Sequence, residues 1–320
     1  GGNIYVQNSL GFDLQNDTLK IVTLNISGYQ GNEYGRLMKT KLFANVTISP
    51  DAGYSSGFAT YIRNNNITGN TQFTSNGSNA FMEADMPGTG NIYHGNLSVT
   101  AAGSGDLFIG FMDSLWCSGN FSINRLVAGN TTAFYSGGTI TGNFTYINNT
   151  SGNTSLGNIN HRTGIMGSIN IQAAYVTPNV FILHRFINML NGGNITVENS
   201  LGFDLLNDTL LVGTVSITGY TGNAYGRLLN NSITGNVTLA DDAAYPVGYF
   251  TYIRNNVITG NCQFSINSNN AILDADFAGS GNKYVGNLTY IRNGGSIVAA
   301  SNEPNELSGN LILQSVSDIY

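Results

Sequence analysis

Two pairs of carboxylates, Glu83 with Asp85 and Asp274 with Asp276, stand at i and i+2. On one extended strand that spacing puts both acids on the same face about 7 Å apart, close enough to hold Ca²⁺ with added carbonyls, or simply to form a solvated pair beside a turn. Asp13 and Asp17 return as Asp204 and Asp208 and are open to the same two readings. Tyr61-Ile62-Arg63 and Tyr252-Ile253-Arg254 each place a ring and a guanidinium on one strand face, with Tyr93, Tyr146 and Tyr290 on nearby segments. If exposed, Tyr61, Arg63, Tyr252 and Arg254 would suit sugar stacking and hydrogen bonding. Otherwise the aromatics stack within a core. His94, His161 and His184 lie in different segments, and the counterpart of His94 is Val285. A nucleophile needs a base and an orienting partner in one cluster, so neither a triad nor a metal centre is expected, and no catalytic residue is assigned.

The elements that must position these residues are read from internal repetition. The chain matches itself at an offset of 191 residues from residue 2 to beyond residue 95: Asn8–Leu14 returns as Asn199–Leu205, Tyr34–Leu37 as Tyr225–Leu228, and Thr60–Asn65 as Thr251–Asn256. Inside this lies a shorter period, Gly-Asn followed by apolar, polar, apolar, as in Gly95-Asn96-Leu97-Ser98-Val99 and Gly142-Asn143-Phe144-Thr145-Tyr146. Looser versions included, it starts at 2, 22, 44, 69, 95, 119, 142, 167, 193, 213, 235, 260, 286 and 309, in steps of 20 to 26 residues. Eight steps make the long repeat. Alternation with period 2 in units of this length predicts β-solenoid coils. A second apolar run sits mid-unit, as in Leu107-Phe108-Ile109, and the runs are separated by Gly, Ser and Asn suited to tight turns.

The expected fold is therefore all-β. It is a single-stranded β-solenoid, that is a parallel β-helix of right hand, with about 14 coils. Residues 1–320 would form one continuous rod, internally duplicated as 1–191 and 192–320 and roughly 65 Å long at about 4.8 Å per coil. With a motif at its first residues and a last strand after Gly309, it reads as an uncapped piece of a longer array whose partners include neighbouring coils of the same protein. The repeated Asn suggests either a solvent-side row or a corner ladder with amides bonded from coil to coil.

Charged residues make up only 9% of the chain and the net charge is −6, so neither nucleic acid nor an anionic membrane is an expected partner. No run of 18 apolar residues predicts membrane insertion, and residues 1–20 lack a basic segment followed by an apolar one. Cys117 and Cys262 are six coils apart, about 29 Å in a single stack, and are expected to be buried thiols rather than a disulfide. No cofactor is expected beyond the Ca²⁺ considered above.

The unit from Gly95 to Ile109, and that from Gly260-Asn261 to Gly286-Asn287, resembles the repeats of the large surface adhesins of Bacteroidetes, the gliding-motility type exported by type IX secretion. The resemblance covers essentially the whole chain. It implies an extracellular, cell-surface filament segment that spaces or presents contacts to substratum or surface polysaccharide, and an internal one, since the type IX sorting domain is not in this stretch. It also implies O-glycosylation at Asp-Ser/Thr-apolar motifs, here at Thr18, Ser114 and Thr209. Two alternatives share the coil length: a polysaccharide lyase or hydrolase, with acids clustered in one groove, and a phage tail fibre or spike, which would be trimeric. The duplication of nearly every candidate acid and arginine speaks for a spacer over an enzyme.

Overall fold

The computed structural model describes residues 1–55, 57–148, 150, 152, 154–157, 161, 163–173, 183–184, 187–189, 192–200, 202–221 and 225–316. Among them there is no helix, and the strands pair in parallel as stacked coils of a β-solenoid. The chain divides into two compact units, Gly1–Ile165 and Met166–Tyr320.

Within a coil the chain runs through three short strands. In the coil that opens at Gly95 these are Leu97–Ala101, Leu107–Ile109 and Leu115–Cys117, after which Gly119-Asn120 turns into Phe121–Arg125 of the next coil. The first strand carries the Gly-Asn motif and pairs with its successors in the register that the motif spacing predicts. In the first unit Asn3 pairs with Thr23, Thr23 with Asn45, Val46 with Thr71, Thr71 with Leu97, Leu97 with Phe121 and Phe121 with Phe144. In the second unit Ile169 pairs with Ile195, and the series continues through Val215, Val237, Cys262, Leu288 and Leu311. The solenoid has about 12 turns rather than 14.

Side chains alternate in and out as the pleat requires, so Leu97, Val99 and Ala101 are buried while Ser98 and Thr100 face outward. Identical faces stack at each step and carry the core as continuous columns. Phe121, Phe134 and Phe144 meet at centroid distances of 5.6, 5.4 and 5.1 Å. Tyr93, Tyr146 and Tyr290 are core members of this kind, buried rather than available to a ligand.

Two asparagine ladders hold the corners. At the Gly-Asn corner the side-chain oxygens of Asn45, Asn70, Asn96 and Asn120 accept from the backbone N–H of Asn70, Asn96, Asn120 and Asn143 at 2.8–3.0 Å. The corner reading of the repeated Asn is thus correct, with the backbone of the next coil as donor rather than a neighbouring amide. The second ladder is buried and lies after the mid-coil strand. There Asn64, Asn230 and Asn255 adopt positive φ, which Asn tolerates, and Asn65, Asn231 and Asn256 then turn inward. Asn256 Oδ1 accepts from Asn231 N at 3.0 Å, while its Nδ2 donates to the Leu228 carbonyl at 2.8 Å and to Asn282 Oδ1 at 2.9 Å. Every polar atom of that amide is answered within the stack.

Candidate functional site

The mid-coil strands present the Tyr–Arg pairs on their outer face. Asp13 stands beside Arg36 and Arg36 beside Tyr61 in the strand register, and Asp204, Arg227 and Tyr252 repeat the row in the second unit. Tyr61 and Tyr252 are partly exposed. The Arg63 guanidinium lies 4.2 Å from the Tyr61 ring centroid, and Arg254 lies 4.3 Å from that of Tyr252. Each arginine also grips an aspartate with two parallel bonds: Arg63 to Asp85 at 2.6 and 2.7 Å, Arg254 to Asp276 at 2.7 Å on both oxygens. Tyr34 and Tyr225 extend the rows, 5.8 and 5.7 Å from Tyr61 and Tyr252. On Tyr61 and Tyr252 one ring face is capped by a guanidinium whose donors already grip an aspartate. The duplicated pairs are chiefly coil-to-coil fasteners.

The carboxylate pairs do not make joint cation sites. Ala84 and Ala275 have positive φ, so the chain turns between the acids instead of continuing along one strand face. Glu83 is buried and accepts from Gly110 N at 2.6 Å, Asn91 Nδ2 at 2.7 Å and Tyr93 OH at 3.3 Å. Burial pushes its carboxyl up to about 7. Asp274 takes the same place in the second unit, accepting from Tyr284 OH at 2.6 Å, from Asn282 and Asn305 at 2.8 Å, and from Tyr290 OH. Burial raises its carboxyl as well. Asp85 and Asp276 lie outside, held by their arginines, so neither member of a pair is the solvated acid of the other reading. Among the described residues no group of three or more His, Cys, Asp or Glu is placed to hold a metal.

The remaining candidates are dispersed. His94 and His161 are exposed, and the side chain of His184 lies outside the described residues. Cys117 and Cys262 are buried free thiols, and burial raises both, that of Cys262 to about 12. Thr18, Ser114 and Thr209 are all exposed, as an acceptor hydroxyl must be. Among the described residues Arg125 is the largest fully buried side chain. It bonds Thr131 Oγ1 at 2.9 Å and the carbonyls of Gly105, Val127 and Asn130 at 3.0, 3.1 and 2.6 Å. Like the buried Glu83 and Asp274, it has no ion-pair partner in direct contact among the described residues, and burial lowers its basicity.

No protein-family model, curated protein or solved structure matches this chain.

One surface feature lies outside the duplicated set. A shallow groove of about 620 Å³ in the first unit is walled by two turns, at Gly88–Gly90 and Asp113-Ser114, and floored by Ile92, His94 and Trp116. Ile92 and Trp116 are register partners on adjacent coils, so parallel stacking sets the isoleucine beside the indole. The His94 ring meets Trp116 edge-on at 5.2 Å and bonds Asn66 Oδ1 at 3.1 Å. The turns are locked together: a Cβ on Gly90 would come within 2.6 Å of the Ser114 carbonyl. The signal available in the sequence was that Trp116 is the only tryptophan and that His94 is not duplicated. The groove itself joins turns 24 residues apart, a neighbourhood that only the coil register creates.

Proposed function

We propose that the chain is a structural segment of an extracellular cell-surface filament, which spaces and presents contacts to substratum or polysaccharide. The observation that carries this reading is where the duplicated polar residues direct their hydrogen bonds. The paired arginines, aspartates and asparagines of both units bond the next coil, which serves stacking rather than solvent-facing chemistry. The resemblance to the gliding-motility adhesins of Bacteroidetes agrees with this role, and on the same reading Thr18 and Thr209 are O-glycan acceptors.

Two measurements test the proposal. Antibodies raised against the chain should label unpermeabilised cells of the source organism. The purified chain, incubated with neutral and acidic polysaccharides, should release no reducing ends or unsaturated products above a blank. Labelling confined to permeabilised cells, or turnover that Asp→Asn variants abolish, would overturn it.

A further inference from the structure

We propose that the Trp116 groove is a binding site for a neutral hexopyranose unit of a polysaccharide. This rests on the reading above, in that the chain presents contacts to a glycan and does not cleave it. Three polar groups around the groove are uncommitted. Among the described residues nothing accepts from the Trp116 indole N–H, Ser114 Oγ makes no hydrogen bond, and Asp113 uses only Oδ1, which accepts from Ser114 N at 2.7 Å. Together they supply a donor, an acceptor and a hydroxyl able to do either, beside an apolar floor made by the indole and by Ile92, itself 39% exposed. The C–H face of a pyranose packs on such a floor, and its hydroxyls need that mixture of partners. The groove volume falls within the roughly 300–1,000 Å³ usual for small-ligand sites.

Charge selects among sugars. Asp113 is the only carboxylate lining the groove, and no lysine or arginine lines it. A uronate or sulfated unit would meet a like charge with no cation to compensate, whereas hydroxyls can donate to Asp113 Oδ2.

The second unit supplies a natural control. Its scaffold is kept at Gly279, Gly281 and Asn282, but the register partners corresponding to Ile92 and Trp116 are Lys283 and Glu306, and His94 becomes Val285. Lys283 and Glu306 form an ion pair at 2.9 Å where the first unit has its apolar floor. The same backbone thus carries a platform once and a closed ion pair once. A purely structural Trp116 gives no reason for the Asp113, Ser114 and indole polar atoms to remain open together.

Because Trp116 is the sole tryptophan, its fluorescence in the full chain reports this groove alone. Titration with neutral gluco-, galacto- and manno-oligosaccharides should give a saturable change in emission with at least one series, and none with oligouronates. Asp113→Ala keeps the fluorophore and should weaken binding about tenfold. Ile92→Lys with Trp116→Glu copies an ion pair that the scaffold already accommodates. By calorimetry it should abolish binding while the thermal melt is retained. No saturable response from any neutral series, equal response to uronates, or unchanged affinity in Asp113→Ala would each overturn the site. Release of reducing ends would instead overturn the non-enzymatic reading and leave the groove standing.

Discussion

Glu83 shows how a single residue can be misread from spacing and then define its surroundings. As a member of an i, i+2 pair it looks solvent-facing, yet the positive φ at Ala84 separates it from Asp85 and seals it in the core. Its folded carboxyl binds a proton up to about pH 7, whereas an unfolded glutamate releases its proton near the ordinary value of 4.5. Stability is therefore fully present below the unfolded value and falls as pH rises through about 7, by roughly 3 kcal/mol for this group at about 1.36 kcal/mol per pH unit. Melts followed by circular dichroism should show the first unit less stable at pH 8 than at pH 5. Glu83→Gln should flatten that dependence and still lower stability at pH 5 by about 1–3 kcal/mol. The reason is geometric: whichever way the amide is turned, its NH₂ faces the N–H of Gly110 or the NH₂ of Asn91, and Asn91 is fixed by a second bond to the Ile62 carbonyl at 2.9 Å. A variant as stable as the wild type at pH 5 would mean that those contacts are not made.

At the scale of the element, the two asparagine ladders predict unequal costs. Asn261 lies at the exposed corner and accepts one backbone bond, from Asn287 N at 3.0 Å, so Asn261→Ala should cost about 0.5–1.5 kcal/mol. Asn256 is buried and serves the coils on both sides, so Asn256→Ala leaves a backbone N–H and a carbonyl unanswered and should cost about 2–4 kcal/mol. Hydrogen exchange in the flanking strands would rank them, and equal effects would refute the distinction. The corner glycines mark a tight contact: a Cβ on Gly95 would stand 2.6 Å from the Gly69 carbonyl oxygen, so Gly95→Ala must push two coils apart. It should lower the melting temperature by several degrees, on the order of 2 kcal/mol, whereas an alanine at Gly2 meets nothing within 4 Å and should be nearly silent. These contacts also explain what was legible beforehand. Gly and Asn recur because most corners leave little room for a side chain and use that amide, so the Gly-Asn spacing reproduces the strand register. The third strand escaped notice because pieces such as Asn66–Ile67 and Ile92–Tyr93 are too short to show alternation. The inner ladder was hidden because Asn65 and Asn91 are 26 residues apart and are preceded by different residues, Asn64 and Gly90, so that only the coil register brings their amides together.

At the scale of the molecule, each unit is built by repeating one set of coil-to-coil contacts, and few of these depend on net charge. Charged residues are 9% of the chain against a usual ~25%, and the closest ion pairs, such as Arg63 with Asp85, are bidentate and largely shielded from water. Salt screens exposed charges over about 3 Å at 1 M but acts weakly on partly buried pairs in direct contact. Apolar columns and amide ladders are not screened. The midpoint of thermal unfolding should accordingly move by less than about 3 °C between low salt and about 1 M NaCl, a shift smaller than that from 1 kcal/mol in a small domain. Calcium bears on the same question. A site of the strength found in extracellular modules, with Kd of about 10⁻⁴–10⁻³ M, would stabilise the fold by roughly 1–2 kcal/mol at about 5 mM Ca²⁺. With Asp85 and Asp276 already bonded to Arg63 and Arg254, no such gain is expected, and melts with Ca²⁺ or with a chelator should superimpose. If Ca²⁺ raised the midpoint and Asp85→Asn removed the effect, the aspartate would be exchanging its arginine for a cation, and the outer face of these strands would be a regulated surface instead of a fixed fastening.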